Sequence, residues 1–438
     1  MTANKILFIF EYVSGGGFYP EDISSSLLCE GYAMLRCISE DFKNLGYRII
    51  TQLDERIKHL SNYLSVDEIY VVNSSNKFTD IYNLCLRKCN ACFIIAPEFS
   101  NILYNLTKIA KERHKKVISI DLDGIMLGTS KIKTYDFFQK NNLNTPLTFL
   151  IPNIDNIFNF DFINEKFNEY HIPFIIKPDD GVGAESIYYF ENFERLQRFF
   201  SNPDLNFNFN RNYILQEFIK GDDYSLSLIN RDFKDNKKSN LYFISINSQK
   251  IKNKTELGNS TYFGGATPIT KYPDLKNNIM KLIRALDLNQ FNSYFGIDFI
   301  ITDKNELFFI EINPRLTTSY VGIRNIYNQN LMSLLESQQN NANDFIKDYK
   351  FYSDFQKLDL LYQGNLTFDK LNHILIPELI KRIPELVTPP TCIKKSKNFQ
   401  RLELSCFIAT KSKNSSESKT RTFQIENILK KYQFEIIK

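Results

Sequence analysis

Two acids, an amide and a guanidinium lie close together near residue 300, where they could bind a metal and phosphate. Asp298 and Glu311 belong to two apolar runs joined by the polar segment 303–306, which is typical of two strands and a turn. Asn313 lies two residues beyond Glu311, so its side chain points to the same face of the strand. Mg²⁺ prefers a few oxygen ligands because it keeps waters and shares its shell with phosphates. Arg315 follows, and a guanidinium grips phosphate oxygens in a fork.

The apolar hairpin predicts a register that sets the two acids opposite each other. If the turn is centred between Lys304 and Asn305, the cross-strand pairs are Thr302–Leu307, Ile301–Phe308, Ile300–Phe309, Phe299–Ile310 and Asp298–Glu311. Opposed like charges destabilise a sheet, and buried ones more so, unless a cation lies between them. The alternative is a surface hairpin with solvated acids, but the apolar residues on both faces favour the metal site.

A second segment is suited to phosphate binding at the end of a strand. The apolar run 175–177 ends in Lys177 and is followed by a turn that contains Gly181 and Gly183. A lysine meets phosphate as a point charge, and the backbone amides of such a turn donate to phosphate oxygens. The segment is not a Walker A motif, because no Gly-Lys-Ser/Thr opens a helix here.

A third segment, 213–225, is predicted to form two strands joined by a hinge. The first strand ends within 216–219, the chain turns at Gly221, and a strand resumes at Tyr224. The exposed backbone groups of such a hinge can pair with an adenine edge, and Asp223 lies where a ribose hydroxyl would need an acceptor. The alternative is a plain β-turn with solvated acids, which this segment taken alone favours.

The elements that precede these segments predict a parallel sheet. Apolar runs at 5–10, 48–51, 68–72, 91–96 and 117–120 alternate with helical patterns, which is typical of a doubly wound α/β domain. The clearest helix begins at the capping hydroxyls of 24–26 and stops at Gly46. Gly15 and Gly16 follow the first strand, at the sheet edge where ligands bind. The alternative for these glycines is a flexible turn.

Composition limits the domain count and the class of partner. The 438 residues predict an N-terminal domain over 1–125, a central domain over 126–338 and a C-terminal extension over 339–438. The net charge of +4 gives no reason to expect nucleic acid or a membrane surface as a partner. No run approaches the ~18 apolar residues of a membrane span, and no secretory signal precedes the first strand, so the expected location is the cytoplasm.

The cysteines and the C-terminal region carry less information. Cys85, Cys89 and Cys92 lack a fourth ligand nearby, so they are predicted to be buried free thiols rather than a metal or redox site. In the C-terminal region, 422–431 has a helical pattern. The polar segment 412–420 before it is predicted to be a mobile link.

In their order along the chain, these segments resemble the ATP-grasp superfamily over roughly residues 1–335. The resemblance implies an α/β plus α+β fold, in which a doubly wound N-terminal domain precedes two subdomains that clamp ATP. It also implies the following roles: Lys131 and Lys177 for the ATP phosphates, Gly181 and Gly183 for the loop above them, Gln216, Glu217, Phe218 and Ile219 for adenine, Asp223 for ribose, Asp298, Glu311 and Asn313 for Mg²⁺ or alternatively Mn²⁺, and Arg315 and Lys177 for catalysis. Ser130 departs from the aspartate that often precedes the first lysine.

Three further segments, 10–18, 264–269 and 312–319, resemble the tyramine–glutamate ligase group of this superfamily, which serves methanofuran-type one-carbon coenzyme synthesis. That resemblance implies substrate contacts at Glu11, Gly15, Gly16, Gly265 and Thr318. The implied activity is ADP-forming ligation of a small carboxylate to an amine through an acyl phosphate, with 181–186 and 254–266 as closing loops. The alternatives are another ATP-grasp enzyme, such as a carboxylase or dipeptide ligase, and a non-catalytic ATP sensor. Homo-oligomerisation stays open.

Overall fold

The computed structural model describes residues 5–155, 157–181, 186–202, 205, 207–233, 236–252, 260–272, 274–336, 349–393 and 402–437. The strands in these ranges are β1 (Ile6–Glu11), β2 (Arg48–Asp54), β3 (Glu68–Val72), β4 (Ala91–Ile95), β5 (Lys116–Val117), β6 (Thr148–Leu150), β7 (Asn153–Ile154), β8 (Ile157–Phe158), β9 (Phe174–Pro178), β10 (Tyr188–Phe190), β11 (Tyr213–Glu217), β12 (Gly221–Phe233), β13 (Asn236–Lys252), β14 (Thr261–Thr267), β15 (Tyr294–Thr302), β16 (Leu307–Asn313), β17 (Ser353–Tyr362), β18 (Leu386–Thr391), β19 (Leu402–Ala409) and β20 (Phe434–Ile437).

The helices are α1 (Ser25–Asn44), α2 (Phe78–Lys88), α3 (Ile102–Glu112), α4 (Leu122–Thr129), α5 (Lys131–Lys140), α6 (Phe160–Tyr170), α7 (Phe193–Phe200), α8 (Leu275–Ile283), α9 (Tyr320–Ile326), α10 (Phe368–Lys370), α11 (Ile376–Arg382) and α12 (Ser415–Lys431). Short 3₁₀ segments cover Glu55–Tyr63, Phe99–Asn101 and Leu331–Leu335, and a π turn covers Leu371–Leu375. No helix among the described residues is both long enough and apolar enough to cross a membrane.

The N-terminal strands form a five-stranded parallel sheet in the order β3-β2-β1-β4-β5, which confirms the predicted doubly wound domain. Helix α1 has the predicted start, because the Ser24 hydroxyl accepts a hydrogen bond from the Leu27 amide at 3.2 Å. It ends just before Gly46, whose φ of 83° suits a residue without a β-carbon. The parallel arrangement brings the carboxyl ends of β1 and β4 to one edge.

Besides the two-stranded sheet β7–β8, two further sheets follow the parallel one. The smaller is antiparallel, in the order β10-β9-β11-β6, and its inner strand β9 carries Lys177. The larger runs β16-β15-β12-β13-β14-β17-β19-β18, with β20 also paired to β17. Strands β17 to β20 come from the predicted C-terminal extension, and β17 pairs directly with β14. That part of the chain therefore completes the sheet that carries the Asp298 and Glu311 hairpin.

The hairpin β15–β16 shows the predicted pairing of the two acids, but the path to it differs from the prediction. Asp298 lies opposite Glu311, whereas the pairs nearer the turn are Ile301–Leu307, Ile300–Phe308 and Phe299–Phe309. The turn is one residue shorter than predicted, with the Thr302 amide donating to the Glu306 carbonyl. A β-bulge between Asp298 and Phe299 in the ladder restores the register, because it leaves Ile310 as an extra residue.

Helix α1 lies between the parallel sheet and the large sheet. One continuous apolar core contains Leu28 and Tyr32 of α1, Phe93 of β4, Phe355 of β17 and Phe407 of β19. An amphipathic helix normally buries a single stripe, so burial against two sheets explains why so much of α1 is apolar. The helix therefore brings side chains of the N-terminal domain next to those of β17.

Most of the polar segment 412–420 belongs to a helix, so the predicted link is wrong for 415–420 and only 412–414 lie between β19 and α12. Helix α12 begins at Ser415, because the Asn414 side chain accepts from the Glu417 amide and the Glu417 carboxylate accepts from the Lys413 amide. The prediction treated Asn, Ser and Glu as loop residues, although together they form a helix cap. All seven cysteines are buried with free thiols, and burial raises the pKa of Cys85 to about 12.

Candidate active site

The three sheets and helix α1 enclose a cavity of about 640 Å³. Most of the predicted site residues line it: Glu11, Lys131, Lys177, Gly181, Gln216, Glu217, Phe218, Ile219, Asp223, Asp298, Glu311, Asn313, Arg315 and Thr318. These residues come from segments as far apart as 11 and 318 along the chain, and the fold brings them to one cavity. Gly183 lies outside the described residues, as do 182–185 of the first predicted closing loop and 254–259 of the second.

Three of the predicted substrate residues are not brought to the cavity wall. The Gly15 amide donates to the Glu11 carbonyl at 2.9 Å, and Gly16, with a φ of 81°, packs against Val72. A β-carbon on Gly265 would lie 1.9 Å from the Ser248 carbonyl oxygen. Close packing against neighbouring atoms and, at Gly16, a positive φ account for glycine at these positions, without contact with the cavity.

Two buried lysines converge on one carboxylate. The Lys131 Nζ lies 3.4 Å from Glu311 Oε2, and the Lys177 Nζ lies 3.9 Å from the same oxygen. The Lys131 ammonium also donates to the Gly181 carbonyl at 2.6 Å. Removal from water would raise the pKa of Glu311, but the two lysines outweigh it and lower that pKa below its usual value. Glu311 is therefore a carboxylate.

Asp179 places the first lysine beside the second. Its Oδ1 accepts from the Ile132 amide at 2.8 Å, and its Oδ2 accepts from the Ser130 hydroxyl at 2.9 Å. Helix α5, which begins with Lys131, is thus attached by its first turn to the residue two positions after Lys177. A carboxylate at a helix N-terminus is favourable. Asp179 supplies this carboxylate, because the residue before Lys131 is the neutral Ser130 rather than an aspartate.

Asp298 has a different environment from Glu311. Its two oxygens accept from amides, Gln249 Nε2 at 2.9 Å and Asn313 Nδ2 at 3.0 Å. Removal from water, followed by repulsion from Glu311, raises the pKa of Asp298 to about 7. A cation placed between the two acids would relieve both effects. The donor set of two carboxylates and an amide oxygen fits Mg²⁺, which takes oxygen ligands and completes its shell with water and phosphate.

Arg315 is held by an acid that the sequence did not reveal. Its Nε lies 2.9 Å from Glu98 Oε1, and its Nη1 donates to the Leu316 carbonyl at 3.2 Å. Glu98 follows β4, and Glu11 ends the neighbouring β1 at the same sheet edge. The Glu11 carboxylate accepts from the Val13 and Ser14 amides and from the Ser14 hydroxyl. Burial nevertheless raises the pKa of Glu11 above its usual value.

The predicted hinge between β11 and β12 is present, but the second strand resumes at Gly221 rather than at Tyr224. β11 ends at Glu217, β12 begins at Gly221, and the residues between them line the cavity. Gln216 donates from Nε2 to the Thr148 hydroxyl at 2.8 Å, and Glu217 accepts from the Leu147 amide at 3.1 Å. Their side chains thus support the strand, while Phe218, Ile219 and Lys220 line the cavity.

The lining or supporting residues that were not predicted include Glu30, Glu98, Asp179, Gln249 and Lys357. A signal existed for Glu98, because ligands of a parallel sheet bind at the carboxyl ends of its strands and Glu98 follows one. Nothing near Gln249 in the sequence marks it, since its role depends on the pairing of β12 with both β13 and β15. Glu30 and Lys357 meet only because α1 packs against β17.

The same parts of the chain match known families. Residues 129–319 match the ATP-grasp domain, and residues 47–122 match the pre ATP-grasp 3 domain. A tyramine–L-glutamate ligase from Methanocaldococcus fervens is 29% identical over 345 residues, which cover 77% of this chain and 94% of that enzyme. The chain is therefore similar to the ATP-grasp carboxylate–amine ligases.

Solved structures confirm the ATP-grasp fold of this chain. An ATP-grasp superfamily protein from Archaeoglobus fulgidus superposes with a TM-score of 0.55 at 24% identity, covering 83% of this chain and 95% of that one. An L-amino acid ligase from Bacillus licheniformis superposes with a TM-score of 0.61 at 13% identity, covering 100% of this chain and 99% of that one. The second alignment spans the C-terminal strands as well, so they lie within the aligned fold.

Proposed function

We propose that this ATP-grasp ligase joins the carboxylate of L-glutamate to tyramine or a related amine, in methanofuran-type one-carbon coenzyme synthesis. One observation carries the chemistry: Lys131 and Lys177 converge on Glu311, which lies opposite Asp298 in a cavity that also contains Arg315. Such a set can bind a triphosphate and neutralise charge as it develops. The similarity to a tyramine–L-glutamate ligase, 94% of which the alignment covers, supports glutamate and tyramine as the substrates.

The proposed reaction has two steps. A carboxylate oxygen of the acid attacks the γ-phosphorus of ATP, the bond to the β,γ-bridging oxygen breaks, and ADP leaves. The amine nitrogen then attacks the carbonyl carbon of the acyl phosphate, loses a proton, and displaces inorganic phosphate to form the amide. Because a carboxylate is already a nucleophile, no activated serine or cysteine is required. The rate enhancement comes from alignment and charge stabilisation.

The residues of the chain divide this work. Lys131 and Lys177 bind the phosphates, Arg315 stabilises charge at the transferred phosphoryl group, and Glu98 keeps its guanidinium in place. The backbone of the 216–221 hinge takes the adenine edge, and Asp223 takes the ribose. Asp298, Glu311 and Asn313 would hold Mg²⁺, or Mn²⁺ in its place, which supplies positive charge against the phosphates when bound. Glu11 and Thr318 contact the substrates.

An isotope experiment tests the two steps together. L-Glutamate with ¹⁸O in its carboxylates is incubated with ATP, Mg²⁺ and tyramine, and the products are separated by mass spectrometry. We expect ADP, a glutamyl amide and phosphate that carries one ¹⁸O atom, because the attacking oxygen leaves with phosphate. Formation of AMP and pyrophosphate, or of unlabelled phosphate alongside the amide, would contradict the acyl phosphate.

The same assay separates the alternatives. Amide formation with other acids or amines but not with glutamate and tyramine would indicate another amino-acid or dipeptide ligase. Binding of ATP without substrate-dependent ADP formation would indicate a non-catalytic sensor. The proposed substrates are small molecules in the cytoplasm, with no nucleic acid or membrane partner. The elution volume of the purified chain reports whether it self-associates.

A further inference from the structure

A buried ion pair lines the cavity apart from the lysines and the hairpin. The Lys357 Nζ lies 2.7 Å from Glu30 Oε1, and the Thr318 hydroxyl donates to Glu30 Oε2 at 3.3 Å. All three residues belong to the cavity lining. Glu30 comes from α1, and Lys357 lies 327 positions later in β17. The pair therefore joins the N-terminal region to the C-terminal region.

The pair is largely removed from water. The Lys357 side chain is 6% exposed and the Glu30 side chain 16%, and the Lys357 Nζ lies 5.9 Å from the centre of the Phe263 ring. The half-buried Tyr262 and the buried Met34 also line this region. Burial would lower the pKa of Lys357, but Glu30 outweighs it, so the lysine is charged.

The assigned roles of the other lining residues leave this pair without one. The phosphate-binding lysines contact Glu311, and Arg315 contacts Glu98, so neither group needs Glu30 or Lys357. The buried pair of Asp41 and Arg324 lies away from the cavity, whereas Glu30 and Lys357 line it. Because burying an ion pair seldom increases stability, ligand binding is the better explanation for a pair on the cavity wall. A pair that faces the cavity can instead exchange its partner for charges on a ligand.

We propose that Glu30 and Lys357 form the subsite for an α-amino acid, with Glu30 binding its ammonium and Lys357 its α-carboxylate. This inference rests on the proposed ligase function and names the substrate class at the same cavity. A zwitterion replaces one ion pair by two, so neither buried charge is left without a partner. A ligand with only one of the two groups leaves Glu30 or Lys357 uncompensated. The side-chain carboxylate of glutamate then remains available for activation.

Three substrates that differ by one group test the subsite in the unmodified protein. Glutarate is glutamate without the ammonium, and 4-aminobutyrate is glutamate without the α-carboxylate. With ATP, Mg²⁺ and tyramine, we expect kcat/KM for glutamate to exceed that for either analogue by at least about 100-fold, because a site built for a polar group rejects ligands that lack it. Comparable kcat/KM values for all three acids would overturn the inference.

Two substitutions assign each charge to its partner. Glu30→Gln is expected to reduce the preference for glutamate over glutarate to about tenfold or less, while the preference over 4-aminobutyrate persists. Lys357→Met is expected to do the reverse. The KM for ATP should change by no more than about twofold in both variants, since the nucleotide-binding residues are separate. Preferences that stay as in the wild type, in folded variants, would assign the pair a structural role and overturn the inference.

A matched control is available on the same helix. Asp41 of α1 forms a buried pair with Arg324 of α9, at 2.7 Å, and neither residue lines the cavity. Asp41→Asn is expected to lower the melting temperature and to leave both preferences unchanged. A change in either preference in this variant would show that loss of any α1 ion pair disturbs the site, and would count against the subsite.

The outcomes for the function and for the subsite differ. If no acid and amine together produce ADP, the proposed ligase function fails and the subsite with it. If acids that lack an α-amino group are ligated as well as amino acids, only the subsite fails. If another L-amino acid is the better substrate, its analogues without the ammonium or without the α-carboxylate take the places of glutarate and 4-aminobutyrate.

Discussion

The hairpin wall of the cavity, formed by Lys131, Lys177, Asp298, Glu311 and Asn313, holds buried charge differently from the helix wall, formed by Glu30, Thr318 and Lys357. In the hairpin wall both lysines contact one acid, and the other acid is hydrogen-bonded to amides. In the helix wall one cation meets one anion directly. In the hairpin wall, a cation can bind between Asp298 and Glu311. In the helix wall, the one positive and one negative charge suit a ligand that carries both charges.

The largest expected effect comes from removing the acid that both lysines share. Glu311→Ala should lower ligation by at least about 1,000-fold, because it removes a proposed Mg²⁺ ligand and leaves two ammonium groups facing each other. ADP release and amide formation, measured at saturating ATP and Mg²⁺, check this. Glu306→Ala, in the exposed turn of the same hairpin, is the control and should retain wild-type rates. Wild-type turnover of Glu311→Ala would remove the metal assignment.

Removing one of the lysines should separate binding from chemistry. We expect Lys177→Ala to raise the KM for ATP by about 10- to 100-fold, because a buried charge that meets phosphate is lost. The KM for glutamate should change much less, since the helix wall is intact. Initial rates over a grid of ATP and glutamate concentrations measure both constants. An unchanged KM for ATP would rule out this role.

A smaller effect is expected at the acid that holds Arg315. Glu98→Gln keeps the size of the side chain but removes the charge paired with the guanidinium, so Arg315 should lose its fixed position. We expect kcat to fall by about tenfold, with the KM for ATP nearly unchanged. A fall in melting temperature without any loss of kcat would indicate that Glu98 only stabilises the fold.

The smallest expected effect is the change in stability with pH that Asp298 of the hairpin wall causes. An aspartate is normally unprotonated above about pH 4, whereas the pKa of Asp298 is raised to about 7 in the fold. The native state therefore binds more protons between these values, and this residue lowers stability as pH rises from about 4 to 7. Without added metal, Asp298→Asn should lose a few degrees less in melting temperature between pH 5 and pH 8 than the wild type. Equal losses would contradict this environment.

The hairpin shows how far local pattern carries a prediction. The apolar alternation and the polar turn were sufficient to pair Asp298 with Glu311, although the four pairs nearer the turn were each wrong by one residue. A β-bulge adds one residue to one strand and so changes which residues are paired beyond it. The prediction of the acidic pair was thus correct because the shorter turn and the bulge compensate for each other.

The loops and caps show where local pattern misled the prediction. Gly15, Gly16 and Gly265 were predicted to contact substrate, but close packing against neighbouring atoms explains why these positions are glycine. The segment 412–420 was interpreted as a link, because its polar residues are common to loops and to helix caps. Residue type cannot separate these cases, since the packing around a backbone position involves distant parts of the chain.

The sequence alone determined the doubly wound N-terminal sheet, the start and end of α1, the strand that ends in Lys177 and the paired acids of the hairpin. Each of these features is set by residues that are close together in the sequence, where hydrophobic periodicity and helix capping act directly. Only the tertiary structure decided that Glu98 holds Arg315, that β17 joins the large sheet, and that Glu30 meets Lys357. Those contacts form when helix α1 is buried between two sheets, and no local pattern records which remote side chains such burial brings together.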